Sequence, residues 1–232
     1  MSVNLRGATA VLLAGTGSDD DYVYRAFAGP LHDAGARVVA PAPQPRRLIE
    51  GYREALDEAA RSGPLVVGGI SIGAVVSVQW ALDRPDRAVA VLAGLPPWTG
   101  TPDDAPAALA ARHTAALLRR DGLAAATAQM RAGSPEWLAV ELTRSWAEQW
   151  PDLPEAMERA AGHRAPDAAE LAGVAAPLAV AAATDDPVHP VEVALEWVAA
   201  APRAALRTFT LAELGADPAV IGQACLAALA EL

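Results

Sequence analysis

The sequence predicts an α/β protein, a doubly wound, mainly parallel sheet of about six strands with an α-helical insertion. Three observations lead there. Short β-type apolar runs alternate with helical patterns along most of the chain. Those runs are apolar on both faces, as strands must be when helices cover both sides of a parallel sheet. One long stretch, residues 96–175, breaks the alternation with helical patterns and no convincing strand.

The strand candidates are 8–14, 37–40, 64–68, 88–93, 178–183 and 205–210, with helical patterns at about 23–34, 46–62, 73–83, 191–200 and 217–231. Right-handed crossovers between parallel strands then place ligands at the carboxyl ends of the sheet. Within 96–175 helical patterns recur at about 104–121, 122–132, 135–149 and 154–161, flanked by Pro96-Pro97 and Ala176-Pro177 as hinges. The expected organisation is a core of residues 1–95 and 176–232 carrying a helical cap, 96–175, over the carboxyl edge. Trp98, Trp137, Trp146 and Trp150 all lie in that segment. Packing of cap on core explains most of them; Trp98 is kept as a substrate-binding candidate.

Composition narrows the function. At 232 residues, 53% hydrophobic and 20% charged, the chain suits one large domain, or one domain with an insertion. A formal net charge of −10 without any basic cluster disfavours nucleic-acid and anionic-membrane partners. All 18 basic residues are arginine, so Schiff-base chemistry, pyridoxal phosphate attachment and a Walker A lysine are excluded. Cys225 is the single cysteine and reads as a buried structural thiol in a C-terminal helix. No HExxH or metal-spaced cluster occurs, and no cofactor is expected. The apolar run at 8–14 is too short and too soon interrupted by Gly15 for a signal peptide, so a soluble, cytoplasmic protein acting on a small molecule is expected. Nothing fixes its oligomeric state.

The chemistry concentrates in Pro64-Leu-Val-Val-Gly-Gly-Ile-Ser71-Ile-Gly-Ala-Val-Val. A β-type run, Gly69-x-Ser71-x-Gly73 and a helical pattern make up a nucleophile elbow. Glycines flank the serine because the turn is tight and neighbouring backbones crowd it. Ser71 would then stand at the sheet's carboxyl edge.

With these features the chain resembles the α/β-hydrolase fold family over nearly its whole length. Leu13-Ala14-Gly15-Thr16-Gly17-Ser18 is similar to the family's His-Gly-x-Gly oxyanion loop, with Ala14 where histidine often stands. The resemblance implies substrate-binding roles for Gly15, Thr16 and Ile72, the Thr16 and Ile72 amides being the oxyanion donors. Thr184-Asp185-Asp186-Pro187-Val188-His189-Pro190 resembles the acid loop, with Asp186 as the acid and Asp185 as the alternative. The family's histidine follows the last strand, yet here Ala216 holds that position and no histidine lies beyond His189. The implied triad is incomplete at its usual place.

Four histidines remain. His32 lies in an early helix, and His113 and His163 lie in the cap. His189 is the best substitute base because it shares the Asp186 loop. The leading expectation is a serine hydrolase, esterase- or thioesterase-like, on a small and mostly apolar acyl substrate, with Ser71, Asp186 and His189 catalytic. The alternative is a non-hydrolytic protein of the same fold, either a ligand-binding pseudoenzyme or a base-independent cyclase or lyase. The run Asp19-Asp20-Asp21 reads as a solvated helix start rather than a cation site.

Overall fold

The computed structural model describes residues 3–232; residues 1–2 of the expected core lie outside them. Six strands occur in chain order: β1 (Thr9–Leu13), β2 (Arg37–Val39), β3 (Leu65–Ile70), β4 (Ala88–Gly94), β5 (Leu178–Ala183) and β6 (Ala204–Phe209). They form one sheet in the order β2-β1-β3-β4-β5-β6, every pairing parallel. Strand order reverses between β1 and β3, and in open sheets of this kind ligands bind outside the carboxyl ends at such a switch point.

Period-two alternation divides the core into two layers. Val11, Leu13, Leu65, Val67, Val91, Leu178 and Val180 face one side. There they pack against α2 (Leu48–Ala60), α3 (Ile72–Asp83) and α8 (Val191–Ala200), with Tyr52, Trp80 and Trp197 fully buried. Ala10, Leu12, Val66, Leu92, Ala179 and Ala181 face the other, beneath α1 (Asp20–Asp33) and α10 (Val220–Leu229), which supply Phe27, Leu31, Ile221 and Cys225. Full burial of such side chains is worth about 1.5–3 kcal/mol each, which makes these two layers the main source of stability.

Between β4 and β5 come four helices and no strand: α4 (Pro106–Gly133), α5 (Glu136–Gln149), α6 (Leu153–Ala161) and α7 (Ala168–Leu171). Gly122, at φ +78° and ψ 175°, breaks α4 into two segments at the boundary the sequence suggested. Ala115, Leu118, Trp146, Leu153 and Met157 form a small apolar cluster of their own. Ala156, Ala160 and Ala161 of α6 join the layer that holds α2 and α3, so the insertion is anchored in the main core. No described helix is long and apolar enough to cross a membrane.

Two elements depart from the sequence reading. Residues 211–216, which end at the position where the resemblance would place a histidine, form the short helix α9 (Leu211–Ala216). Its start is fixed by a capping box: Thr210 Oγ1 accepts from the Glu213 amide, and Glu213 accepts from the Thr210 amide. The four residues of α7 likewise start on an Asp167–Glu170 capping box. Both motifs were present in the sequence.

Candidate active site

The chain turns sharply from β3 into α3 at Ser71, which adopts φ +54° and ψ −118°. A non-glycine residue held there costs on the order of 1–3 kcal/mol, so the surroundings must over-determine it. The Ser71 amide donates to Gly94 O at 2.9 Å, and its carbonyl accepts from the Ala74 and Val75 amides. Buried Ser77 Oγ lies 2.9 Å from Gly68 O and 2.8 Å from Gly73 O, tying the first turn of α3 back to β3. Gly69 and Gly73 both crowd the end of β1. A Cβ on Gly69 would come within 2.3 Å of Leu13 O, and one on Gly73 within 2.2 Å of the same atom. The Gly-x-Ser-x-Gly spacing is thus set by a third strand pressing on the turn.

The loop after β5 carries the other two groups. His189 Nε2 lies 3.0 Å from Ser71 Oγ, and His189 Nδ1 lies 2.9 Å from Asp186 Oδ2. The Asp186 side chain is 9% exposed and that of His189 17% exposed. Asp186 Oδ1 also accepts from the Val188 amide at 2.8 Å, an Asx turn that folds the chain back so the next residue faces the acid. Burial works against the Asp186 charge, but hydrogen bonds from the His189 imidazole and from the Val188 and His189 amides outweigh it. Its pKa therefore lies below the ordinary 3.8. An ionised Asp186 accepts from Nδ1–H, which leaves the Nε2 lone pair facing the Ser71 hydroxyl. Such an arrangement can take a proton from Oγ as it attacks an acyl carbon.

The β1 loop stands on the other side of Ser71. A Cβ on Gly15 would lie 3.5 Å from Ser71 Cβ. Tyr52 OH donates to Ala14 O at 3.1 Å, and the Ser18 amide donates to Gly15 O at 3.0 Å. Among the described residues, the Thr16 and Ile72 amides donate no hydrogen bond to the protein.

Of the sequence-level candidates, the fold brings Ser71, Asp186, His189, Gly15 and Ile72 together, with Thr16 next to Gly15. Trp98 belongs to the core: it is buried, its indole N–H donates to His163 O at 3.2 Å, and its carbonyl accepts from Trp197 Nε1. Its N–H is therefore unavailable to a ligand. Asp185 accepts from the Leu211 amide at 2.7 Å, at the first residue of α9, whereas Asp186 stands beside the imidazole. His163 contacts Gln79, His113 contacts Gln129, and His32 stacks edge-on to Tyr24. Ala216 is exposed at the end of α9. Asp19 caps α1 through the Tyr22 amide and pairs with Arg144, which also reaches Asp21. Sequence reasoning missed Tyr52, Ser145 and Gln149, which hold the β1 loop and belong to no motif.

A parallel sheet in this order, flanked by helices, with a sharp turn at Ser71 after β3, is the α/β-hydrolase fold. Solved structures of that fold superpose on nearly the whole chain. A carboxylesterase structure from Nitrososphaera gargenis matches with a TM-score of 0.71 at 17% identity, over 94% of this chain and 86% of that one. A hydrolase from Pseudomonas aeruginosa PA01 gives 0.69 at 21%, over 96% and 90%. The enol-lactonase from Burkholderia xenovorans LB400 gives 0.66 at 16%, over 88% and 83%. No protein-family model matches the chain, and no curated protein does.

Proposed function

We propose that the protein is a serine hydrolase, esterase- or thioesterase-like, acting on small and mostly apolar acyl compounds. One observation carries the reading: His189 bridges Ser71 Oγ and Asp186 with both contacts at hydrogen-bond length. Ser71 is the nucleophile, His189 the general base and Asp186 the group that orients and charge-balances the imidazole. Ser71 Oγ attacks the acyl carbon while its proton passes to His189 Nε2, and the resulting imidazolium faces the Asp186 carboxylate. The carbonyl oxygen gathers negative charge, for which the Thr16 and Ile72 amides are the available donors. His189 then returns the proton to the leaving oxygen or sulfur. In the second half it takes one from water, whose oxygen adds to the acyl carbon, and gives it to Ser71 Oγ as the acyl–oxygen bond breaks and the acid leaves.

The low exposure of the serine bears on substrate size. Ser71 is only 9% exposed, with buried Ile70 and Ile72 beside it and Leu95 following the Gly94 carbonyl that accepts its amide. A serine this little exposed suits a short acyl group. The non-hydrolytic alternative drew its motive from the absence of a histidine after β6; the 3.0 Å contact of His189 with Ser71 Oγ, made from another loop, favours the hydrolytic reading over it. That the neighbouring folds include a carboxylesterase and an enol-lactonase agrees with ester cleavage.

The test is turnover of short-chain p-nitrophenyl esters by the wild type, Ser71→Ala and His189→Ala. Loss of a triad member lowers kcat by roughly 10⁴- to 10⁶-fold, so both variants should fall to background. Wild-type turnover by either would overturn the reading.

A further inference from the structure

We infer that Ser145 and Gln149 of α5 are positioning residues for the Thr16 amide, so that the helical insertion sets the geometry of the oxyanion site. The inference rests on the hydrolytic reading of Ser71. Its ground is how the loop after β1 is held. Gly17 takes φ +73°, and its carbonyl accepts from Ser145 Oγ at 2.7 Å. The next carbonyl, Ser18 O, accepts from Gln149 Nε2 at 2.9 Å, and the same Nε2 lies 2.9 Å from Ser145 Oγ. Ser145 and Gln149 stand four residues apart on one face of α5, so a single helix surface grips two successive loop carbonyls. Ser145 is 2% exposed and Gln149 8% exposed, which makes these bonds unexchangeable with solvent at low cost.

The grip is tight and one-sided. A Cβ on Gly17 would lie 2.9 Å from Trp146 Nε1 and 3.1 Å from Met157 Cε, so the insertion packs directly on the loop backbone. Arg144 adds an ion pair to Asp19 at 2.6 Å. On the sheet side Tyr52 OH holds Ala14 O. The carbonyls of Ala14, Gly15, Gly17 and Ser18 are thus all accepting hydrogen bonds within the protein, while the Thr16 amide between them donates none. The peptide plane that carries a free donor is fixed by its neighbours, and two of those restraints come from α5. An oxyanion donor acts only where charge develops, so a small rotation of this loop costs transition-state stabilisation without costing ground-state affinity.

Ser145→Ala and Gln149→Met each remove one donor with little change of volume. With p-nitrophenyl acetate, kcat should fall about 10- to 100-fold in each while KM stays within about twofold, below the loss of a whole oxyanion donor. The inhibition constant of phenylboronic acid, whose tetrahedral serine adduct mimics the intermediate, should rise in proportion to the loss of kcat/KM. Ser71→Ala in the same assay separates the two claims. If it retains turnover, the hydrolytic reading has failed. If it is inactive while both α5 variants keep wild-type kcat and boronate affinity, the positioning role alone has failed. Should both α5 variants misfold, amide hydrogen exchange in the wild type takes over. Residues 15–19 should exchange together with α5, and faster, independent exchange of the loop would overturn the inference.

Discussion

Asp186 and His189 lie three residues apart in one loop, and the Asp186 side chain uses one oxygen to bend that loop and the other to hold the imidazole it has just turned back. Oδ1 accepts from the Val188 amide at 2.8 Å and Oδ2 lies 2.9 Å from His189 Nδ1. Both side chains therefore come from one segment after β5, and Ser71, 3.0 Å from His189 Nε2, comes from the turn after β3.

Asp186→Asn should separate orientation from simple presence of the base. An amide in place of the carboxylate favours the wrong imidazole tautomer, and kcat for a p-nitrophenyl ester should fall by about 10⁴-fold with KM little changed. The same substitution alters acid stability. Because the native pKa of Asp186 is depressed below 3.8, its contribution is present above that pH and lost as pH falls through the native value. Urea titrations should show a shallower acid loss of stability in the variant.

Placing a histidine at the position the resemblance favours should not restore activity. Ala216 is the exposed last residue of a helix whose start is pinned by the Thr210–Glu213 capping box. The double variant His189→Ala with Ala216→His should stay at the background rate of His189→Ala. Recovery to within about tenfold of wild-type kcat would show that the imidazole can be supplied from the end of α9.

Stability should depend on pH through a histidine remote from Ser71. His163 Nε2–H donates to Gln79 Oε1 at 2.8 Å, and Gln79 Nε2 donates to Arg164 O, linking α3 to the end of the insertion. Burial, reinforced by the nearby Arg53 charge, depresses the His163 pKa below 6.5. The folded protein thus binds fewer protons there than the unfolded chain. Stability present above about 6.5 is lost as pH falls through that value toward the native pKa. Melting temperatures taken from pH 8 to 5 should decline less in His163→Asn than in the wild type.

The crowding at the elbow yields a stability contrast. Gly73→Ala would drive a Cβ into the Leu13 carbonyl and the adjoining backbone, where no side chain can yield, and should cost about 3 kcal/mol or more. Gly133→Ala, at an exposed helix end with nothing within 4 Å, should be neutral or slightly stabilising. Urea unfolding of both variants measures the difference.

The strands were legible because a buried parallel strand writes itself as a continuous apolar run; β5, for example, is buried at all six positions. Ser71 was legible because the crowding of Leu13 O admits only glycine at positions 69 and 73. Asp186 was legible as an Asp-Pro turn after a strand. His189 was only half legible. Its reach to Ser71 depends on two strand spacings across β3-β4-β5 and on the Asx turn, a tertiary distance that local spacing does not encode. The capping boxes of α7 and α9 are readable in the sequence, yet neither helix was among those read from it. Ser145 and Gln149 left no local signal, since their partners lie 128 and 131 residues away.

The central claim is that His189 activates Ser71. It is tested most directly by the rate at which a fluorophosphonate probe labels Ser71, followed by intact mass and peptide mapping, in the wild type and in His189→Ala. A single adduct on Ser71 is expected in the wild type, with labelling slowed by at least about 10³-fold in the variant. Equal labelling rates, or an adduct placed on another residue, would contradict it.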